Sequence, residues 1–378
     1  MKPALKPNEA AHFAASSKLN APPNSNDSAT LLPALPHGAE ILIIRLRSLG
    51  DLVLETPAIA ALHSWRPDLR INVLVEPRFA PVLEGNPAIA ELIFSRGLGE
   101  TALDLLRRKF PIVFNQHGGP RSAMLTGASG APLRVGWAGY QYSFLYNVPV
   151  PDAQEFYRAP AVHTVEHRIS QFYFTGLPRG PIPRAQVFAQ PDAIARVAGK
   201  LAEKGIAAGA PYAVLQPGSR LPAMRWPVAK FAEFARWLRD KHGIASVVNL
   251  GARDDEIAAE VRDEMGNCAV VLDSQLDIRE LIALIAASRV FVGNDSGPAH
   301  LAAALQRPSV VIFSVTDPVQ WRPWQADHRI VQTGATFDHP RGDKAVVTSN
   351  PRPISSIATD KVRDACDDVL SALQKTAK

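Results

Sequence analysis

The stretch that most constrains the fold is Val290 to Val315, VFVGNDSGPAHLAAALQRPSVVIFSV. A β-branched and aromatic run, Val290-Phe291-Val292, ends in the polar turn Gly293-Asn294-Asp295-Ser296-Gly297-Pro298. An Ala/Leu-rich helix is expected from about Pro298 to Gln306, and Pro308 leads into a second apolar strand, Val310 to Phe313. Strand, Gly-containing turn, helix and strand make a βαβ unit, the building block of parallel sheets. Pro298 suits a first helical position, and Asp295 or Ser296 can cap the exposed amides. Free N–H groups and the positive end of a helix dipole then sit at the carboxyl end of a parallel strand, where phosphates bind. His300, in the first turn, points its imidazole at the same spot.

The same alternation runs through the rest of the chain. Ile41 to Ile44 is a continuous apolar run of the kind buried on both faces of a sheet. It ends in Arg45-Leu46-Arg47-Ser48-Leu49-Gly50-Asp51, and a helix is expected from Leu52 to about Trp65. Further strands are expected at Leu69 to Val75, Ile89 to Phe94 and Pro111 to Phe114, and a helix at His163 to Phe174. Asn115 to Pro160 reads as irregular, carrying Gly118-Gly119, Arg121, Arg134 and the aromatics Trp137, Tyr140 and Tyr142. A second α/β series has strands at Tyr212 to Gln216, Ala245 to Leu250 and Val270 to Leu272, before the opening stretch.

The proline-rich connection from Gly176 to Pro191 divides the two series. The expected organisation is a disordered leader over 1–38, an N-terminal domain over 39–185 and a C-terminal domain over 186–352. A final helix within 353–378 is expected to pack back on the N-terminal domain. A chain of 378 residues exceeds what one core usually supports, which agrees with two domains.

Net charge of +5 without a dense Lys/Arg block suits acidic partners and argues against a nucleic-acid arm. Cys268 and Cys366 form no metal-ligand pattern and fit a reduced, cytoplasmic setting. No run approaches the roughly eighteen apolar residues of a membrane span, and no P-loop or GxGxxG fingerprint points to an ATPase or nicotinamide enzyme.

The segment Gly293 to Leu305 resembles the donor-site signature of glycosyltransferase family 9, the heptosyltransferases of lipopolysaccharide inner-core synthesis. Three further places are similar to that family in the expected order. They are Arg45 to Asp51 with Thr56-Pro57-Ala58-Ile59, Gln216 to Arg220 with Arg225-Trp226-Pro227, and Leu250-Gly251 with Asp254-Asp255-Glu256. The resemblance covers about residues 40–325. It implies an α/β fold of the GT-B type, with two Rossmann-like doubly wound parallel-sheet domains facing a central cleft.

It also implies an inverting transfer of heptose from ADP-heptose to the phosphorylated inner core on lipid A, a Kdo or heptose acceptor. Asp51 would be the general base, and neither metal nor cofactor would be held. Donor binding falls to Gly218, Ser219, Arg225, Asp295, Ser296, Gly297 and His300, with Glu256 (or Asp255 beside it) on the ribose. Acceptor binding falls to Arg47, Arg121 and Arg134, since guanidinium groups match phosphate and carboxylate. The enzyme would work at the cytoplasmic face of the inner membrane, in peripheral contact with it. One departure stands out: Met224 occupies the position where the family carries a Lys for donor phosphate. It keeps open a sugar-nucleotide-binding protein with lapsed catalysis; a transferase for another nucleotide sugar and a GT-B epimerase also remain.

Overall fold

A computed structural model describes residues 28–251, 254–273, 276–338, 346–349 and 352–376. Six parallel strands form the first sheet: β1 (Glu40–Ile44), β2 (Arg70–Val75), β3 (Glu91–Phe94), β4 (Ile112–Asn115), β5 (Leu133–Trp137) and β6 (Val148–Val150). Their order is β3-β2-β1-β4-β5-β6. A second sheet holds β7 (Tyr212–Gln216), β8 (Ala245–Leu250), β9 (Val270–Asp273), β10 (Val290–Asn294), β11 (Ser309–Phe313) and β12 (His328–Gln332), in the order β12-β11-β10-β7-β8-β9. Counted within its own half, each sheet runs 3-2-1-4-5-6. That is the doubly wound order, with a crevice where the winding reverses, beyond the carboxyl ends of the first and fourth strands. Two such sheets facing each other are the GT-B arrangement.

Central strands β1, β7, β10 and β11 are buried along almost their whole length, as helices on both sheet faces require. The helices that matter for the site are α1 (Leu49–Val53), α2 (Thr56–Trp65), α3 (Thr164–Phe174), α4 (Ile278–Ala287), α5 (Gly297–Ala304) and α6 (Thr359–Thr376). Pro57 and Pro298 sit in the first turns of α2 and α5, where a missing N–H costs nothing.

Three expectations need correction. The leader was expected to reach residue 38; residues 1–27 lie outside the described residues, but 28–38 are packed on the first sheet's lobe. Leu32 and Leu35 are buried in its core, the Leu32 amide donates to the Thr175 carbonyl, and Arg66 donates to the Leu32 and Leu35 carbonyls. The irregular stretch after Asn115 contains a helix (Pro120–Ala128) and strands β5 and β6. Helix α6 packs on the C-terminal lobe instead of the N-terminal one: Val362, Cys366, Val369 and Leu370 share a core with Phe231, Phe234, Val310 and Ile312.

The lobes touch at several points. Glycines at the tips of α1 and α5 let the two helices meet: a Cβ on Gly50 would stand 2.8 Å from His300 Cδ2, and one on Gly297 2.8 Å from Leu49 Cδ2. Arg279 at the start of α4 donates to both carboxylate oxygens of Glu84, at 2.6 and 2.5 Å. His163 and Trp324 donate across the boundary to the Arg322 and Pro183 carbonyls, at 2.9 and 3.0 Å. His163 Nε2 carries the proton, because its Nδ1 accepts from the Val165 amide.

Candidate active site

A cleft of about 1320 Å³ opens between the lobes where both winding reversals lie. From the N-terminal lobe it is lined by Arg45, Arg47, Ser48, Gly50 and Asp51 after β1, by His117 after β4, and by His167 and Arg168 of α3. From the C-terminal lobe come Gly218, Ser219, Arg220 and Met224 after β7, Asp254 after β8, and Asp295 to Pro298 with His300 after β10.

Asp51 lies in the first turn of α1, its carboxylate 23% exposed to the cleft. One oxygen, Oδ1, faces Arg45 Nη2 at 2.5 Å and Arg168 Nη2 at 3.4 Å; Oδ2 accepts from the Ser48 hydroxyl at 2.9 Å. Burial alone would raise this carboxyl, but the two guanidiniums overcome it and hold Asp51 far below the ordinary carboxylate range. Both arginines are themselves anchored by one carbonyl: Arg45 Nη1 and Arg168 Nη1 donate to the Gln116 oxygen, the latter at 2.9 Å. Beneath them Glu55 is fully buried, its Oε2 3.9 Å from Arg168 Nε. Its carboxyl is pushed up to about 7 by burial, against the pull of Arg168 and Arg45.

Across the cleft, Asn294 ties the loops after β7 and β10 together. Its Oδ1 accepts from the Trp226 amide at 3.0 Å and its Nδ2 donates to the Pro217 carbonyl at 2.7 Å. The Ser219 hydroxyl donates to the Asp295 carbonyl at 3.2 Å. Ser296 is in extended conformation at the N-cap of α5 with no side-chain cap, its hydroxyl donating instead to the Asn294 carbonyl. Pro298 has no N–H and the Ala299 amide turns back to the Ser296 carbonyl at 3.1 Å, so what α5 offers the cleft is the Gly297 amide and the positive end of its dipole, where an anion can be held. Burial pushes Asp295 up to about 6, opposed by a hydrogen bond from Thr316 Oγ1 at 2.6 Å and by Arg220. His300 is buried against the α1 tip; burial takes its imidazole down to about 4, so it is neutral near pH 7, and Asp51 pulls the other way.

Of the residues singled out from sequence, Asp51, Arg47, Gly218, Ser219, Asp295, Ser296, Gly297 and His300 converge on this cleft. Four do not. Glu256 is 72% exposed and pairs with Arg225 Nη1 at 2.9 Å, while Arg225 Nε donates to the Ser219 carbonyl. Arg225 is thus committed to bracing its loop, outside the cleft lining. Asp254, two residues earlier, is the acid that lines the cleft: its carboxylate accepts from the Gly251 amide at 2.8 Å and packs where a side chain on Gly218 would go. Arg121 donates to Ser95 Oγ at 2.9 Å and to the Arg96 carbonyl. Arg134 donates to the Leu145 and Ala131 carbonyls at 2.9 and 2.8 Å. Both stitch the N-terminal lobe together.

Trp137 is buried and stacked on His167, ring centroids 3.9 Å apart, which makes it part of the cleft wall's support. Sequence reasoning did not single out Arg45, Glu55, Gln116, His117, Arg168, Arg220 or Asn294. Only Arg45, Arg220 and Asn294, inside quoted motifs, carried a local signal.

The sequence model of glycosyltransferase family 9 (heptosyltransferase) matches residues 101–345. The lipopolysaccharide heptosyltransferase 3 of Escherichia coli is 27% identical over 301 residues, 74% of this chain and 84% of that protein. Among solved structures, the family 9 glycosyl transferase of Veillonella parvula DSM 2008 superposes with a TM-score of 0.78 at 22% identity, covering 91% of this chain and 99% of that one. The E. coli ADP-heptose lps heptosyltransferase II gives 0.73 at 24% identity, covering 89% and 99%. With the family match spanning well over half of the residues, this chain belongs to glycosyltransferase family 9, the heptosyltransferases, and is a glycosyltransferase.

Proposed function

We propose that the protein is an inverting heptosyltransferase. It moves heptose from ADP-heptose to the phosphorylated inner-core oligosaccharide of lipopolysaccharide, onto a Kdo or heptose of the lipid A-linked acceptor. The observation that carries this reading is the confrontation of Asp51, from one lobe, with the tip of α5, from the other, across one cleft. The acceptor hydroxyl attacks the anomeric carbon from the side opposite the diphosphate, Asp51 takes its proton, and ADP departs with the bonding electron pair. Charge growing on the leaving phosphate meets the positive end of the α5 dipole and the Gly297 amide, with Arg220 beside them. Met224 is apolar and Arg225 is engaged elsewhere, so on this reading the wall relies on the α5 tip and Arg220 for the phosphates. Asp254 takes the donor ribose.

On this reading residues 39–185 bind the acceptor, with Arg47 as its exposed anion contact, and residues 186–352 bind the donor. Among the described residues no helix is long and apolar enough to cross a membrane. The lipid-linked acceptor would be met by peripheral contact at the cytoplasmic face of the inner membrane.

The test is transfer from ADP-heptose to heptose-deficient lipopolysaccharide by wild type and by Asp51→Ala, with donor binding measured in parallel. Loss of a general base lowers kcat by about 10²- to 10⁴-fold while donor affinity stays. An unchanged rate refutes the base; tight donor binding by wild type without transfer to any acceptor refutes the transferase.

A further inference from the structure

We propose that Glu55 is a positioning residue for the transfer: by competing with Asp51 for the Arg168 guanidinium, it sets how tightly the Asp51 carboxylate is held. This rests on the reading of Asp51 as the base. Glu55 stands four residues after Asp51, at the N-cap of α2, with its side chain wholly removed from solvent. Neither carboxylate oxygen has a hydrogen-bond partner among the described residues. A buried carboxyl without such partners is costly and usually has a role. Arg168 lies between the two acids, Nη2 3.4 Å from Asp51 Oδ1 and Nε 3.9 Å from Glu55 Oε2, with Nη1 fixed on the Gln116 carbonyl. The charged groups acting on Glu55 are Arg45 at the end of β1, Asp51 on α1 and Arg168 on α3.

Two states follow from charge counting. With Glu55 protonated, two guanidiniums face one carboxylate and the cluster carries net charge +1; Asp51 is then held by both cations. With Glu55 ionised the cluster is neutral, Arg168 is shared, and Asp51 regains basicity. The first state attracts an anionic acceptor and the second favours proton removal, so binding and turnover have opposite pH trends. The carboxyl's displacement to about 7 puts the exchange in the working range.

The experiment measures kcat and acceptor KM from pH 5.5 to 8.5 for wild type and for Glu55→Gln, which keeps the shape and removes the charge, with thermal melts confirming folding. Wild-type kcat is expected to rise about tenfold between pH 6 and 8, following the ionised fraction of a group near 7, while acceptor KM rises several-fold. In Glu55→Gln both trends attributable to this group vanish and kcat at pH 8 falls to the low-pH level. Titration of the acceptor's own phosphates is common to both proteins and cancels. Superposable profiles overturn the proposal, as does a wild-type kcat that is flat from pH 6 to 8, which needs no variant. Asp51→Asn separates the two readings: if it retains full kcat the base assignment has failed, and if it is dead while Glu55→Gln matches wild type only the Glu55 role has.

Discussion

Replacing Gly50 by Ala should separate catalysis from folding. Gly50 lies in the first turn of α1, where Ala is the better helix former by about 1 kcal/mol. The new methyl would stand 2.8 Å from His300 Cδ2 and 3.2 Å from Gly297 Cα. Carbon atoms in ordinary contact sit at about 3.5–4.0 Å, so the ring must give by roughly 0.7 Å. His300 is buried and cannot swing aside, and Gly297 offers only backbone. The α5 tip must therefore recede from Asp51, widening the gap across which sugar and leaving group are aligned. A misplacement near 1 Å costs on the order of 10²-fold in rate, so kcat should fall roughly 10- to 100-fold, read as ADP release. The overpacking cost of about 1–3 kcal/mol, partly offset by the helix gain, lowers the melting temperature by no more than about 10 °C. Gly99→Ala is the control, in the helix Leu98–Arg108 with no atom within 4 Å of its Cβ position. It should gain the same helix stability and keep full rate. Rates for Gly50→Ala and Gly99→Ala within about twofold of each other refute the reasoning.

Arg47→Ala should raise acceptor KM about 10- to 100-fold, the loss of a charged hydrogen bond worth roughly 1.5–3 kcal/mol. Arg121→Ala and Arg134→Ala should leave both Michaelis constants alone. In urea melts Arg134→Ala should lower stability by about 1–3 kcal/mol because it orphans two part-buried carbonyls, and Arg121→Ala, whose carbonyl contact is exposed, by about 1 kcal/mol. Stability should also report Glu55. Its folded-state value near 7 lies above the ordinary 4.5, so between those pH values the folded chain keeps a proton that the unfolded chain has released. This contribution is fully present below pH 4.5 and is lost as pH rises through 7. It amounts to about 3 kcal/mol over the window. Urea melts at pH 5 and pH 8 should show Glu55→Gln gaining on wild type by that order, with other titrating groups cancelling in the comparison; an equal difference at both pH values contradicts it.

What the sequence displayed and what it hid divide along physical lines. Buried parallel strands such as Ile41-Leu42-Ile43-Ile44 and Val290-Phe291-Val292 advertise themselves, since both faces meet helices. The edge strands β6 and β12 do not, although the opposite edges, β3 and β9, were legible. Strand β6 is three residues with a proline at its centre, and β12 reads His328-Arg329-Ile330-Val331-Gln332, as polar as a loop. Helix α6 has a legible apolar face, but a face does not say which lobe will cover it. Of the acid cluster after β8, the sequence favoured Glu256, but it is Asp254 that lines the cleft. Glu256 sits in the first helical turn and reaches out to Arg225, whereas Asp254 at the N-cap is folded back onto the Gly251 amide. The cluster around Asp51 was least legible of all. Arg45, Gln116 and Arg168 meet only because β1, β4 and α3 converge, and spacing along the chain carries no trace of that.

A carboxylate clamped by two guanidiniums is a weak base, and its weakness is compatible with the task given to it. On the proposed reading the acceptor proton becomes strongly acidic as its oxygen bonds to the anomeric carbon, so late transfer to a weak carboxylate is feasible. It quickens when an ionised Glu55 draws Arg168 away from Asp51. Asp51 must then be ionised at every working pH and correctly aimed, and both follow from Arg45, Arg168 and Ser48. The opposite wall has the reverse requirement, since a fixed negative charge beside a diphosphate would repel it. There Asp295 is buried, held by Thr316 and raised to about 6, and two bound phosphates would raise it further toward the neutral form. Two of the acids lining the cleft, Asp51 and Asp295, are driven apart in acidity by their surroundings. On the proposed reading this gives the polarity that a transfer needs: an anion where the proton arrives, and a less charged acid beside the α5 tip where the phosphate leaves.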